Sequence, residues 1–254
     1  MSKIIAIANQ KGGVGKTTTA VNLAAAMGDL NKKILLVDMD PQGNTTSGYG
    51  ISRKGLKKTI YDILVNGAEA QEVIIKTEYK NVDLIPSGIE TAGAEIEMID
   101  NTDRNNVVKS ALARIKENYD YIFIDCPPSL GLITINALTA SQAVIMPIQC
   151  EFYALEGLSQ LVSTIKKVKK FSNPDIDIEG VLCTMFDGRL NLTMQVLEEV
   201  KKYFPGKVFA TTIPRNVKLS EAPGFGMPVI YYDKSSKGSK AYIELAKELI
   251  KNNK

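Results

Sequence analysis

The chain has 254 residues, 44% of them hydrophobic and 23% charged, with no histidine and three cysteines. That length and apolar share suffice for one large α/β core, while the absent histidine and the wide spacing of Cys126, Cys150 and Cys183 exclude zinc-type sites and a histidine general base. The formal charge is +3 with its positive excess beyond residue 150, and no apolar run reaches the ~18 residues of a membrane span, so a soluble cytoplasmic protein with a mild bias toward polyanions is expected.

Short β-branched runs alternate with longer amphipathic stretches. Ile4–Ala8 predicts the first strand and Thr17–Gly28 the first helix. Strands follow at Ile34–Val37 and Val82–Ile85, a helix at Arg104–Asn118, and strands at Tyr121–Ile124 and Ala143–Ile148. A helix at Ala154–Phe171, a strand at Gly180–Thr184, a helix at Leu192–Tyr203, a strand at Val208–Ile213 and a helix at Lys237–Asn252 complete the pattern. Such alternation predicts a single α/β domain over residues 1–254, with a mostly parallel twisted sheet flanked by helices. Residues 41–60 and 86–103 are weakly periodic and rich in small polar residues, and are expected to be mobile. In an open sheet of this kind ligands gather at the C-terminal ends of strands.

The loop after the first strand reads Gln10-Lys11-Gly12-Gly13-Val14-Gly15-Lys16-Thr17-Thr18. Its glycines let backbone N–H groups turn inward around phosphate oxygens, and the helix that follows presents its positive end. Lys16 adds a point charge near the β- and γ-phosphates, and Thr17 offers a hydroxyl to Mg²⁺. The segment from Lys11 to Thr18 (Lys11, Gly12, Gly13, Val14, Gly15, Lys16, Thr17, Thr18) is therefore the predicted site for a nucleoside triphosphate. Gln10 stands where the general pattern has a glycine, and Lys11 adds a charge that Lys16 makes redundant locally; it is aimed at something else, or is simply a solvated lysine.

Two further strand ends carry carboxylates toward the same rim. Asp38 and Asp40 follow Ile34–Val37 at i and i+2, and Asp125 follows Tyr121–Ile124 as a second Mg²⁺-directed carboxylate, the alternative for Asp125 being a helix cap. With Thr17 they would set a magnesium ion and an attacking water beside the γ-phosphate.

The doubled-lysine loop, Val37-Asp38-Met39-Asp40-Pro41-Gln42-Gly43-Asn44, Ile124-Asp125-Cys126-Pro127-Pro128-Ser129-Leu130, Gln149-Cys150-Glu151-Phe152-Tyr153-Ala154-Leu155-Glu156-Gly157 and Ile213-Pro214-Arg215-Asn216-Val217 occur together and in order. With these motifs the chain resembles the ParA/Soj chromosome-partitioning ATPases, within the MinD-like group of phosphate-loop proteins with a deviant Walker A motif. The resemblance implies ATP and Mg²⁺ as cofactors and a homodimer that sandwiches two nucleotides. Lys16 would serve its own subunit, and Lys11 would reach the phosphates held by the facing one. Gly12 would lie where the two loops meet, Asp40 would orient the attacking water, and Thr17, Asp38 and Asp125 would serve the metal. Pro214 and Asn216 would contact adenine.

It also implies binding to double-stranded DNA without regard to sequence, slow ATP hydrolysis stimulated by a ParB-type partner, and a place on the nucleoid. The positions that match the family's basic contacts are Arg189 and Lys218, with Arg215 a neighbour; Lys218 stands where an arginine is usual and lacks the planar fork. Lys166, Lys167, Lys169 and Lys170 form another basic cluster, read as a solvated helix face. Since the chain starts directly at the sheet, a chromosomal rather than plasmid type is expected.

Two other readings compete. A MinD-like membrane-cycling regulator would end in a basic amphipathic helix, whereas Ala241–Lys251 carries acidic residues on its polar face and reads as a helix packed on the sheet. A cluster-holding ATPase resembling the nitrogenase iron protein would need exposed cysteines, whereas these three end apolar strands.

Overall fold

The computed structural model describes residues 2–151 and 154–253, so Phe152 and Tyr153 of the motif above lie outside the described residues. Seven strands form one sheet: β1 (Lys3–Ile7), β2 (Ile34–Asp38), β3 (Ile75–Lys76), β4 (Val82–Ile85), β5 (Tyr121–Asp125), β6 (Ala143–Gln149) and β7 (Asp177–Thr184). Their order is β3-β4-β2-β5-β1-β6-β7. Every pairing is parallel except that of β3 with β4. Every residue of β2, β4 and β5 is buried, which is why β2 and β5 read as apolar runs up to their terminal aspartates: helices cover both faces of a parallel sheet.

Alternate residues feed two cores. Ile5, Ile7, Leu36 and Phe123 face α1 (Lys16–Asp29) and the last helix, Lys237–Asn252. Ala6, Leu35, Val37 and Ile124 face the opposite layer, which includes the helices Val107–Ala113, Leu132–Ala140, Ala154–Phe171 and Asn191–Tyr203. The last helix spends its apolar face on the core: Tyr242, Leu245, Ala246 and Leu249 are fully buried, and the Tyr242 hydroxyl lies 3.2 Å from Thr19 Oγ1 of α1.

Four sequence expectations need correction. Val208–Ile213 is not a strand of the sheet. It runs along the outer edge of β7, with Phe209 N–H donating to Val181 O and Ile213 N–H to Cys183 O. Between those contacts the N–H groups of Ala210 and Thr211 donate instead to the two carboxylate oxygens of Glu248, at 2.7 and 2.9 Å, so a side chain interrupts the ladder. The helix expected at Arg104–Asn118 is shorter, Val107–Ala113, with a separate 3₁₀ turn at Lys116–Asn118.

Leu132–Ala140, not among the candidate elements of the sequence, is a helix. Buried residues ring it, so it lacks the polar stripe by which an amphipathic helix is read. Segments 41–60 and 86–103, expected as mobile loops, contain helical turns at Asn44–Gly48, Ile89–Gly93 and Ala94–Glu97, and Thr45 and Thr46 are fully buried. Small polar residues here are spent on internal hydrogen bonds rather than on water.

Candidate functional site

The loop between β1 and α1 is shaped by glycine at two points. Gly13 and Gly15 have φ of 74° and 86°, in the left-handed region that other residues avoid. Gly15 is also the N-cap of α1 and contributes no capping side chain, so the first N–H groups of the helix point into the loop unsatisfied by side chains. Thr184, at the end of β7, braces the loop from below: its Oγ1 lies 2.8 Å from Val14 O and 2.9 Å from Ile148 O, within donating distance of either.

Lys16 is buried, and its Nζ donates to Lys11 O at 3.1 Å, curling back over the loop. Burial lowers its pKa, against the opposing pull of Asp125, Cys126 and Asp40. Lys11 is exposed by comparison, and its Nζ sits 2.9 Å from Glu151 Oε2 of the same chain. Among the described residues nothing lies within 4 Å of a Cβ built on Gly12, whose φ is not positive. No described neighbour inside the protomer therefore requires a glycine there.

Beside the loop the register of β2 on β5 sets Asp38 opposite Asp125. Both are fully buried. Asp125 Oδ2 accepts from Thr17 Oγ1 at 2.8 Å and from Thr45 Oγ1 at 2.7 Å, while Asp125 Oδ1 is buried with no hydrogen-bond partner among the described residues. Burial pushes the Asp125 carboxyl up to about 6 in spite of those donors. Asp38 is pushed up to about 7, first by burial and then by the charge of Asp125, although Thr46 donates both its N–H and its hydroxyl. Asp40 is buried but lines the cleft, and its Oδ1 accepts from Gln42 N–H.

The Asn44–Gly48 turn thus holds both carboxylates, Thr45 on one and Thr46 on the other. Neither threonine was among the residues singled out in the sequence. Their place seven and eight residues beyond Asp38, just after Gln42 and Asn44, is the signal that could have found them.

A cleft of about 360 Å³ lies over these groups, lined by Gly12, Lys16, Thr17, Asp40, Asn44 and Met185 among others. A second cleft of about 280 Å³ shares Gly15, Thr18 and Met185 with it and is closed on its far side by Pro214, Arg215 and Asn216. The expected phosphate-binding and adenine-contacting residues are thus brought together along one rim. Asn216 Oδ1 caps the short helix Val217–Glu221 through Lys218 N–H, leaving its amide N–H groups for the cleft. A larger cavity of about 620 Å³, between Ala154–Phe171 and the end of Asn191–Tyr203, is mostly apolar and lies apart from these groups.

The residues fit a magnesium ion. A hydroxyl and two buried carboxylates, that of Asp125 with one oxygen unpartnered among the described residues, form an all-oxygen set suited to a hard cation. Among the described residues no three or more acidic, cysteine or histidine side chains form a cage, which suits an ion held largely by phosphate oxygens and water. Cys126, Cys150 and Cys183 are free and buried, and burial raises the Cys126 thiol above its usual range.

The basic residues gather beyond β7. The loop carrying Arg189 is tied to the Pro214 segment by Phe186 N–H donating to Ile213 O at 2.9 Å, so Arg189 and Arg215 extend from neighbouring loops. Arg189 pairs with Asp187 at 2.7 Å, and Lys218 pairs with Glu221 at 2.8 Å and lies over the ring of Tyr232. Lys166, Lys167, Lys169 and Lys170 are exposed on their helix, and no described helix is long and apolar enough to cross a membrane.

A family model described as an AAA domain matches residues 2–178. The chain is 58% identical over 252 residues to the sporulation initiation inhibitor protein Soj of Bacillus subtilis, covering 99% of this chain and 100% of that one. It is 51% identical to the chromosome partitioning protein ParA of Myxococcus xanthus, over 99% of this chain and 89% of the relative. Among solved structures, the cobyrinic acid a,c-diamide synthase of Mycobacterium smegmatis with bound ATP analog and magnesium superposes with a TM-score of 0.90 at 36% identity, covering 100% of this chain and 96% of that one.

Proposed function

The chain belongs to the Soj/ParA family of chromosome-partitioning proteins, and from that premise we propose that it is a slow ATPase, with ATP and Mg²⁺ as cofactors, that cycles on and off DNA. ATP binding pairs two copies face to face, the pair holds duplex DNA on the nucleoid without regard to sequence, and hydrolysis stimulated by a ParB-type partner releases it. The observation that carries the nucleotide site is Asp125: one oxygen takes two hydroxyls, Thr17 among them, and the other is buried and unpartnered beside a phosphate-binding loop.

In this reading Lys11, Gly12, Gly13, Val14, Gly15, Lys16, Thr17 and Thr18 hold the triphosphate, and Pro214 and Asn216 line the base cleft. Thr17, Asp38 and Asp125 would hold Mg²⁺. When bound, the ion would supply neutralisation of the phosphate charge. Asp40, at the mouth of the cleft, orients the attacking water, so catalysis is positioning and electrostatics rather than covalent chemistry. Lys11 exchanges Glu151 for phosphate oxygens of the facing subunit, and Gly12 keeps clear the surface where the two loops meet. Arg189, Arg215 and Lys218 contact DNA phosphates. The synthase activity named for the Mycobacterium structure is not carried over, since the 58% relative matches end to end.

Three variants separate the roles. Lys16→Ala abolishes ATP binding; Lys11→Ala still binds ATP but sediments as a single protomer; Asp40→Ala forms an ATP-loaded dimer that is retained on duplex and does not turn over. Nucleotide affinity, sedimentation and DNA retention measured on all three test the reading. Normal ATP-dependent pairing of Lys11→Ala would refute the cross-subunit role.

A further inference from the structure

We propose that Asp187 is a positioning residue that presents the Arg189 guanidinium to a phosphodiester of duplex DNA, an inference that rests on the DNA-binding reading above. Asp187 makes three contacts with Arg189, two residues on. Its Oδ1 accepts the Arg189 backbone N–H at 3.1 Å and Nε–H at 2.9 Å, and its Oδ2 accepts Nη2–H at 2.7 Å. The carboxylate therefore occupies one side of the planar fork. The outer edge, Nη1 with the second hydrogen of Nη2, is left to solvent, and the arginine side chain is 88% exposed.

The loop beneath is itself fixed. Phe186 is bonded to Ile213, and Leu190 N–H returns to Asp187 O at 3.2 Å. The bonds from Arg189 hold the Asp187 carboxyl down to about 2, so it stays ionised at any working pH.

An exposed ion pair contributes little when two long side chains must be immobilised to make it. Here one partner is short and almost adjacent, so what the contact orders is chiefly the arginine. Ordering matters because a free arginine loses its rotamer freedom on docking, and a fork already aimed loses less. Lys218 with Glu221 offers no parallel: an ammonium is a point charge with no second edge, so the carboxylate beside it simply competes with phosphate.

Charge alone gives the opposite expectation. Removing an acidic residue from a DNA-facing loop should strengthen binding to a polyanion. The experiment is retention of the full-length protein, loaded with a non-hydrolysable ATP analogue, on a nonspecific duplex at two salt concentrations, with sedimentation reporting that each variant folds and pairs.

Asp187→Ala, and less severely the isosteric Asp187→Asn, should weaken retention by roughly three- to tenfold while Arg189 is present, as loss of preorganisation of a rotamer-rich side chain requires. In an Arg189→Lys background, which has no fork to aim, the same Asp187→Ala change should leave binding equal or tighter. Tighter binding of Asp187→Ala with Arg189 intact, or an equal loss in the lysine background, overturns the proposal. Absence of ATP-dependent retention in the unmodified protein overturns the underlying DNA reading instead.

Discussion

Asp38 and Asp125 face each other across β2 and β5 at no exposure, and each resists ionisation because burial withholds water from the charge. Raised to about 7 and about 6, they bind protons in the folded protein over a pH window where the unfolded chain has already released them. The stability they contribute is therefore present in full below ~4, the unfolded carboxylate range, and lost as pH rises through 6 to 7. The nucleotide-free protein should melt at a lower temperature at pH 8 than at pH 5.5. Asp38→Asn should flatten that slope, and so should saturating Mg²⁺ and ATP, whose cation compensates both carboxylates. Differential scanning fluorimetry across the window checks this; a slope unchanged by Asp38→Asn would remove Asp38 as its source.

Elements were legible where periodicity had a partner-independent form. The helices Ala154–Phe171 and Lys237–Asn252 match their expected limits because each sets charged residues against one apolar stripe, and Val82–Ile85 matches because three of its four residues are buried apolar side chains. Leu132–Ala140 was illegible since its surroundings are protein on nearly every side, and Thr45 and Thr46 because an uncharged hydroxyl announces no partner until the fold brings Asp125 and Asp38 to it. The misread edge of β7 has the same origin: Val208–Ile213 has strand composition, but Glu248, distant in sequence, takes its N–H groups. Phe209 in that segment packs over Gly180, where an added Cβ would fall 2.5 Å from the ring. Gly180→Ala should displace the ring and cost about 1–3 kcal/mol in denaturant unfolding, the range for overpacking a well-filled site; a neutral effect would mean that the edge segment is held by its backbone bonds alone.

Across the molecule the strand order distributes chemistry along one rim. Carboxylates rise from β2 and β5 on one side of the phosphate loop, and the arginine and lysine loops follow β7 on the other, with β1 between them. The proposed nucleotide turnover and DNA contact should in this way be separable by mutation. Arg189→Glu should lose duplex retention while ATP-driven pairing still shows in sedimentation; retention that persists would place the contact elsewhere. Such loop and charge placement was readable from motifs, whereas the internal carboxylates that partner Arg189 and Lys218 were not, because Asp187 and Glu221 have no meaning until their neighbours' geometry is known. Both margins of the sheet are also closed. At one, β3 is two residues long and antiparallel, carrying Lys76 outward; at the other, residues 207–213 lie bonded along β7. Unsatisfied strand margins are templates for indiscriminate backbone pairing. In the pairing cycle proposed above, blunted margins serve each return of two copies: encounters at the flanks find little ladder to extend, and fibrous growth has little on which to begin.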